Sequence, residues 1–341
     1  MSLVRHFNPL IMDYAPFIPP PFRKIHDIPK PSIDLYNQYR QLLAYTKHIF
    51  SYHARAEEQC LKLVHRGKVK DVYEIKEGNY LFHFSDRVSA FDVEMNTLIP
   101  KKGEVLCQFA RFWFNQLSLE NHMLTIRDRD KMIVKKLRMI PLEFIVRGYF
   151  YGSLADRYAK YPSMYPDLEN FKPTLASKLP RPLFDPTTKS HEHDVPIAED
   201  QIVARGILSR KELDHVKKAS IRLYLEMSDV VQRAGFILAD TKFEFGLDSN
   251  NQTILADSLG PDEYRLWPKS GYVPGRIQES YDKQILRDWL ISTGFREAIN
   301  RYSERGLKPL PPPLPPEIIN RLSDRYIYAY EMISGSSFTS R

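Results

Sequence analysis

The sequence predicts a mixed α+β fold, and three observations lead to this prediction. Short apolar or alternating runs at 61–66, 69–75 and 80–84 are joined by tight turns, as in the hairpins of an antiparallel sheet. Apolar residues at every fourth position predict a helix over 103–117. The chain has 341 residues, of which 43% are hydrophobic, so it can form about two packed units of roughly 150 residues each.

Composition excludes several classes of protein. The two cysteines, Cys60 and Cys107, are too few for a disulfide scaffold or a cysteine-rich metal cluster. No apolar stretch approaches the ~20 residues of a membrane span, and no secretory signal is evident, so we expect a cytoplasmic protein without a membrane partner. The 49 basic and 42 acidic residues give a net charge of +7, which suits nucleic acid or small polyanions such as nucleotides.

The remaining elements follow from proline content and apolar spacing. Prolines clustered before residue 33 favour an extended start, and the proline-free stretch 34–59 predicts a helix, so 1–60 form an N-terminal appendage. Further expected elements are strands at 132–134 and 142–146, helices at 153–158, 210–234, 281–292 and 317–334, a long loop over 160–200 and a hairpin over 236–258. The proline run at 308–316 favours a rigid tether over a ligand for a proline-binding module.

The predicted hairpin late in the chain carries the most informative polar pattern. Asp240, Lys242 and Glu244 alternate with other residues, so their side chains share one face of a strand. A turn centred on 250–251 would place Glu244 directly opposite Asp257. Two facing carboxylates repel unless a cation lies between them, and either Lys242 or Mg²⁺ would serve. The residues alone leave both interpretations open.

A glycine-containing turn between the first two predicted strands is a second candidate site. Gly67 would let backbone N–H groups approach a phosphate, and Lys68 and Lys70 would add positive charge. The segment is neither a P-loop nor a Gly-x-Gly-x-x-Gly motif. A plain hairpin with exposed lysines is the simpler interpretation of this segment alone.

Two later segments also carry polar groups. Glu143 and Arg147 interrupt an apolar strand that leads to Ser153, which fits either a buried ion pair or an anion site. The cluster 186–194 contains two histidines and two acids, but their spacing matches no standard zinc site. Four charged residues follow downstream: Asp262, Arg265, Lys283 and Arg287. The two arginines either bind phosphate or are solvated surface residues.

Seven segments, taken in order over 62–335, resemble the signature blocks of the phosphoribosylaminoimidazole-succinocarboxamide synthases, or SAICAR synthetases. The segments are GKVKDVYEI, SDRVSAFDV, PLEFIVRGYFYGS, PTTKSHEHD, ADTKFEFGL, PDEYRLW and YDKQILRDWL. The resemblance implies a two-lobed α+β fold, with an antiparallel β-rich lobe at 61–140, a larger α+β lobe at 141–341 and ATP in the cleft between them. It implies a ligase that joins L-aspartate to carboxyaminoimidazole ribonucleotide (CAIR) with ATP, giving SAICAR, ADP and phosphate in purine biosynthesis.

The resemblance also implies roles for residues at matching positions. Residues implied to bind ATP are Gly67, Lys68, Val69, Lys70, Glu244 and Asp257, and the last two would hold Mg²⁺ on the nucleotide. Residues implied to bind CAIR or aspartate are Ser89, Asp92, Arg147, Ser153, Asp262, Arg265, Lys283 and Arg287. Residues implied to take part in catalysis are Lys242, Glu143, Asp194 and Lys189.

The chain departs from the family in two places, and two rival functions are open. The family commonly has Glu after the acid that matches Asp257, but this chain has Ser258, so one negative charge is missing beside the metal. Residues 1–60 have no counterpart in shorter members and either cap the body or form a homo-oligomer contact. One rival is a kinase-like phosphotransferase with another acceptor. The other is a basic nucleic-acid-binding module, which the interspersed charges disfavour, so we expect no nucleic-acid partner.

Overall fold

A computed structural model describes residues 61–168, 170–189, 195–304, 306–307 and 309–339. The expected N-terminal appendage at 1–60 lies outside the described residues, and so does most of the histidine-containing cluster, including Asp194. None of the described helices has both the length and the apolar character that a bilayer-spanning helix needs.

Antiparallel strands and helices make up the described chain, so the predicted α+β class is confirmed. The strands are β1 (Lys62–Arg66), β2 (Lys70–Glu74), β3 (Tyr80–Phe84), β4 (Ser89–Ala90), β5 (Val93–Glu94), β6 (Met123–Asp128), β7 (Lys131–Val134), β8 (Arg138–Met139), β9 (Leu142–Tyr149), β10 (Lys178–Thr188), β11 (Phe236–Leu247), β12 (Thr253–Ala256) and β13 (Tyr264–Pro268). The α-helices are α1 (Lys102–Gln116), α2 (Ser153–Lys160), α3 (Glu199–Ala204), α4 (Arg210–Arg233), α5 (Gln284–Ser292), α6 (Phe295–Ser303) and α7 (Pro316–Ser334).

The first sheet has the strand order β1-β2-β3-β7-β6, and each neighbouring pair in it is antiparallel. Its first three strands confirm the hairpins predicted for 61–84. Helix α1 lies against β3 and buries Phe109 and Trp113 in the same core that contains Phe82 and Phe84 of that strand. Helix α1 therefore covers one face of this sheet. Residues of β2 and β3 also line the cleft described below.

The second sheet has the order β10-β9-β11-β12, and β13 and β8 also pair with the long strand β11. Helix α4 covers β11 and β9, and it begins at a capping box in which Ser209 and Glu212 bind each other's backbone N–H groups. The buried face of α4, with Leu223 and Met227, belongs to the same hydrophobic core as the first sheet. A core shared by both sheets fixes the position of one relative to the other.

The expected long loop over 160–200 is wrong in its second half, where β10 runs for 11 residues. Three prolines in this segment, Pro180, Pro182 and Pro186, argue against a central strand because proline donates no ladder hydrogen bond. In the structure β10 is an edge strand that pairs with β9, and an edge strand tolerates prolines whose nitrogen faces away from its partner. The pairing of β10 with β9 places Asp185 in the sheet beside the cleft.

The expected pairing of Glu244 with Asp257 is wrong by one residue. Glu244 pairs with Ala256, because the connection is a five-residue loop at 248–252 instead of an even-numbered turn. The loop is held by Asp248, whose Oδ1 accepts hydrogen bonds of 2.8 Å from two backbone N–H groups inside it. Asp257 follows the end of β12 with a left-handed φ of 64°, which takes it out of the strand's alternation.

Gly148 on β9 lies against α4 so closely that no side chain fits. A Cβ atom at this position would be 1.8 Å from the hydroxyl oxygen of Tyr224, which donates a 2.8 Å hydrogen bond to the Leu238 carbonyl. We expect Gly148→Ala to lower the free energy of unfolding by about 3 kcal/mol, measured by urea denaturation. Gly271→Ala is the control, since no atom of the described residues lies within 4 Å of its Cβ position. Equal urea midpoints for the two variants would contradict this packing.

Candidate active site

A cleft of about 940 Å³ lies where strands of the two sheets meet, and this volume suits a nucleotide-sized ligand. Every residue that the sequence predicts for the site and that the structure describes lines this cleft. These residues are Gly67, Lys68, Val69, Lys70, Ser89, Asp92, Glu143, Arg147, Ser153, Lys189, Lys242, Glu244, Asp257, Asp262, Arg265, Lys283 and Arg287. Asp194 lies outside the described residues.

The glycine turn between β1 and β2 is shaped by backbone contacts. The N–H of Gly67 donates a 2.9 Å hydrogen bond to the Lys70 carbonyl, and a Cβ at Gly67 would lie only 2.8 Å from that oxygen. Arg87 braces the turn by donating to the Gly67 carbonyl at 3.0 Å and to both carboxylate oxygens of Asp71. A braced, glycine-dependent turn at the rim of a cleft can bring backbone N–H groups close to a phosphate.

The short hairpin formed by β4 and β5 faces this turn. Its two loop residues, Phe91 and Asp92, both have positive φ values of 52° and 61°, which are uncommon for residues other than glycine. Such conformations cost free energy and persist where the surroundings fix them. Asp92 forms an ion pair with Lys68 of the glycine turn, so the hairpin presents a carboxylate next to the lysines.

Lys70 and Asp257 form a half-buried ion pair at one end of the cleft. The Lys70 ammonium also donates to Ser258 Oγ at 3.2 Å and lies 4.7 Å from the centre of the Phe82 ring. Burial opposes ionisation of Asp257, but Lys70 and two other lysines hold the pKa of this carboxyl well below its usual range. The carboxylate is therefore charged at neutral pH.

His122 fixes the backbone of Asp257. Sequence patterns do not predict this role, because His122 belongs to no motif. Its Nε2 lies 3.0 Å from the Asp257 carbonyl oxygen, and its ring packs edge-on against Phe82 and Phe114. Burial and the nearby Lys70 lower the pKa of His122 to about 4, so the ring is neutral at pH 7 and donates through Nε2. His122 is a positioning residue for the left-handed Asp257.

Lys242 stands between two carboxylates on the shared face of β11 and β9. Its ammonium lies 2.6 Å from Glu143 and 3.8 Å from Glu244, and Glu244 is also paired with Lys189. Burial alone would lower the pKa of Lys242, but Glu143, Glu244 and Asp257 together raise it, so the ammonium stays charged. Burial and the Asp257 charge raise the pKa of Glu244 above its usual value.

The donor set of this end fits a magnesium ion bound together with phosphate. Glu244 and Asp257 line the same cleft, and the Asp257 charge contributes to the raised pKa of Glu244. Mg²⁺ usually takes one or two protein carboxylates and completes its octahedron with water and phosphate oxygens. The described residues contain no group of three His, Cys, Asp or Glu side chains suited to hold an ion by protein ligands alone.

Arginines and acids form a second polar group at the other end of the cleft. Neighbouring strands place Asp240 opposite both Arg147 and Arg265 in register. Arg147 is buried and donates to Asp185 at 2.5 Å, to Asp240 at 3.3 Å and to Ser153 Oγ at 3.1 Å. Arg265 donates to Asp240 at 2.6 Å. The acids orient the guanidinium groups, which suit bidentate binding of phosphate.

Two further features mark this end as an anion site. Gly152 has a positive φ of 59°, and a Cβ there would lie 2.5 Å from Arg265 Nη2, so the glycine leaves room for the guanidinium. Burial and the neighbouring Arg265 charge lower the pKa of Arg287. The Arg265 contribution shows that two positive charges lie close together here, and a bound anion would relieve their repulsion.

Asp262 is the centre of a buried group between the two ends. It binds Lys102 at 2.8 Å, Lys283 at 3.6 Å and the hydroxyl of Tyr326 at 2.7 Å. Burial lowers the pKa of Lys283 to about 8, despite the opposing attraction of Asp262. Lys102 and Tyr326 were not predicted, because each lies on a helix whose apolar pattern accounts for the segment without a ligand.

Glu263 is a cleft residue that the sequence prediction also missed. Its Oε1 lies 3.5 Å from Ser258 Oγ, and its Oε2 is buried without a hydrogen-bond partner in the described part of the chain. Burial, then Asp262 and Asp257, raise the pKa of this carboxyl to about 8. The Glu263 carbonyl accepts a 2.9 Å hydrogen bond from the Lys242 backbone N–H, which anchors the residue beside β11.

The fold and the cleft by themselves define a class of protein. Two antiparallel sheets bring a lysine–carboxylate group and an arginine group to one cleft, and both groups suit phosphate-bearing ligands. This arrangement is that of an α+β enzyme that binds nucleotides.

Comparison with known proteins identifies the family. The SAICAR synthetase family model matches residues 63–302. The phosphoribosylaminoimidazole-succinocarboxamide synthase of Nitrosopumilus maritimus is 49% identical over 271 residues, which are 80% of this chain and 97% of the relative. The Corynebacterium efficiens enzyme is 37% identical and covers 84% of this chain and 95% of its own length. The solved SAICAR synthase of Saccharomyces cerevisiae, complexed with SAICAR, has a TM-score of 0.70 at 33% identity, covering 82% of this chain and 97% of its own. The chain belongs to the SAICAR synthetase family.

Proposed function

We propose that this chain joins L-aspartate to CAIR with ATP, giving SAICAR, ADP and phosphate in purine biosynthesis. The observation that carries the proposal is the single cleft in which the lysine–carboxylate end and the arginine end face a common space. The Nitrosopumilus maritimus and Corynebacterium efficiens relatives are named for this activity, and each matches most of this chain. The reaction needs two phosphate-bearing substrates to meet, and the cleft offers a polar group for each.

The ATP phosphates lie, in this proposal, at the end formed by the glycine turn and β11. Lys68 and Lys70 contact phosphate oxygens, and each exchanges its present carboxylate partner for one of them. Glu244 and Asp257 would hold Mg²⁺, which neutralises charge on the transferring phosphoryl group when bound. We further propose that 61–140 and 141–341 are the two lobes on either side of the nucleotide, and that the enzyme works in the cytoplasm.

The CAIR phosphate lies at the arginine end. The Saccharomyces cerevisiae relative is complexed with SAICAR, which retains that phosphate. Arg147, Ser153, Arg265 and Arg287 would bind it, since guanidinium groups oriented by buried acids form charge-assisted hydrogen bonds. This placement directs the imidazole carboxylate toward Lys242, between the two ends.

The chemistry explains why lysines and acids dominate the centre of the cleft. A carboxylate is a poor acyl donor, because its leaving group would be oxide. Transfer of the γ-phosphoryl group to a carboxylate oxygen gives an acyl phosphate, and the aspartate amine then displaces phosphate to form the amide. Such transfer needs positioning and charge neutralisation more than a protein nucleophile.

Four residues are proposed to act on the reacting groups. The Lys242 ammonium, held in position by Glu143, can stabilise the negative charge on the transferring phosphoryl group. Lys189 adds a second ammonium near Glu244. Asp194 is proposed for this region by its position in the family motif. Ser89, Asp92, Asp262 and Lys283 are proposed to bind the imidazole carboxylate and aspartate.

Release of phosphate from ATP tests the proposed function. We expect purified protein with ATP and Mg²⁺ to release phosphate only when CAIR and L-aspartate are both present, with one SAICAR formed per phosphate. Equal phosphate release with and without L-aspartate would overturn the ligase assignment and favour a phosphotransferase.

Affinity for L-aspartate should fall as pH rises through about 8, the pKa of Lys283. Below this pH the ammonium attracts the anionic substrate, and above it that charge is lost, so KM should rise roughly tenfold between pH 7 and 9. Burial disfavours the charged form of Lys283, so loss of its proton does not destabilise the fold. Lys283→Arg keeps its charge, and its KM should stay flatter than the wild-type value over this range. Parallel pH profiles for the two proteins would contradict the assignment.

A further inference from the structure

Glu263 is the acidic group of the cleft that the proposed chemistry leaves without a role. It belongs to the connection between β12 and β13, which also carries Asp257 and Asp262, and it lines the same cleft. One of its carboxyl oxygens is buried and has no hydrogen-bond partner among the residues that the structure describes, which costs free energy in the folded protein. A carboxylate kept in such a place needs an explanation other than stability.

Ser258 supplies that explanation. The family resemblance implies Glu at this position, and the serine leaves the cation end one negative charge short. In the structure the Ser258 hydroxyl lies 3.5 Å from Glu263 Oε1 and accepts a hydrogen bond of 3.2 Å from Lys70. The Glu263 carboxylate thus lies beside the short side chain at position 258, next to its hydroxyl.

We propose that Glu263 supplies the negative charge that this chain lacks at position 258, and thereby strengthens binding of the divalent cation that accompanies the nucleotide. This inference rests on the proposed function, because it assumes a cation between Glu244 and Asp257. Glu263 acts on the cation through its charge and through the Ser258 hydroxyl, and it is not a ligand itself. Glu263 is therefore a positioning residue of the cation end.

Charge and packing give the proposal two separable consequences. Without a cation, burial and the charges of Asp262 and Asp257 disfavour the ionised form of Glu263, so Glu263→Gln should leave the apo protein at least as stable. A bound cation favours the ionised form, and loss of its attractive charge should weaken cation binding roughly tenfold at the distances of neighbouring side chains. A purely structural role would give the opposite sign for apo stability.

The test measures the dissociation constant of Mn²⁺ in the presence of ADP. Electron paramagnetic resonance monitors the binding, and no turnover is needed. We expect Glu263→Gln to raise the Mn²⁺ dissociation constant roughly tenfold, while the apo melting temperature stays equal or rises. Glu263→Ser should behave in the same way, and adding Ser258→Glu to Glu263→Ser should restore the wild-type dissociation constant. Glu74→Gln is the control, since Glu74 pairs with Lys62 and Lys136 outside the cleft.

The outcomes separate this inference from the proposed function. Wild-type protein that binds no Mn²⁺ with ADP would contradict the cation site itself. Wild-type binding with an unchanged dissociation constant in Glu263→Gln would overturn the role of Glu263 alone. A fall in apo stability of Glu263→Gln, or failure of Ser258→Glu to restore binding, would also overturn it.

Discussion

Glu244→Gln should reduce turnover on the order of 10³-fold while leaving the fold intact. The substitution keeps the shape of the side chain but removes a charged oxygen proposed to hold Mg²⁺, and metal stabilisation of a transferring phosphoryl group is worth several kcal/mol. Burial and the Asp257 charge raise the pKa of Glu244, so the charge on Glu244 does not stabilise the folded apo protein. Removing that charge should therefore leave the apo fold intact. Steady-state kinetics with CAIR, aspartate and Mg²⁺-ATP measures the loss, and thermal melting checks the fold.

Two comparison variants show that the loss comes from the cation end. Glu74→Gln removes a surface carboxylate that also lies between two lysines, and it should keep wild-type turnover. Asp257→Asn should lose turnover to a similar extent but should also lose roughly 1–3 kcal/mol of stability, because it breaks the pair with Lys70. Its lowered pKa shows that the charged Asp257 stabilises the fold above the usual titration range of an aspartate. Wild-type turnover in both Glu244→Gln and Asp257→Asn would disprove the cation assignment.

Arg147→Ala should raise the KM for CAIR roughly 100-fold with little change in the KM for ATP. Arg147 belongs to the arginine end of the cleft, where it donates to Asp185 and Ser153, and charge-assisted bonds to phosphate are strong. The fold should survive, because Asp185 keeps Arg157 and Asp240 keeps Arg265 as partners. Substrate-dependence curves for CAIR and ATP, measured separately, check the prediction.

Arg157→Ala is the matched control for Arg147→Ala. Arg157 pairs with Asp185 as Arg147 does, but it does not line the cleft. Its loss should leave both KM values near those of the wild type. Equal increases in the KM for CAIR and ATP in Arg147→Ala, or equal effects of the two arginine variants, would contradict separate ends for the two substrates.

Local patterns predicted much of the fold. The hairpins at 61–84, the helix at 102–116 and the helix at 210–233 each have a clear period, so the element and its buried face follow from apolar spacing. The edge strand β10 was missed because its prolines are unfavourable in a central strand, and edge position is a tertiary property. Neither β13 nor α6 was expected, since each is short and has mixed polarity.

The site was predictable where residues share a strand and less so where a loop decides. Alternation along β11 correctly placed Lys242 and Glu244 together, and their ammonium and carboxylate groups are 3.8 Å apart. The register across to Asp257 was wrong, because it depended on a five-residue loop and a left-handed residue. Lys102 and Glu263 were missed, because their partners come from distant segments that only the fold brings together.

The central claim is that this cleft uses ATP to activate the CAIR carboxylate for attack by aspartate, and oxygen transfer tests it most directly. CAIR labelled with ¹⁸O in its carboxylate is converted in the presence of ATP, Mg²⁺ and L-aspartate, and the released phosphate is analysed by mass spectrometry. Our account predicts that each phosphate carries one oxygen from the carboxylate, because the acyl phosphate breaks at its carbon–oxygen bond. Phosphate free of ¹⁸O, alongside normal SAICAR formation, would contradict the account.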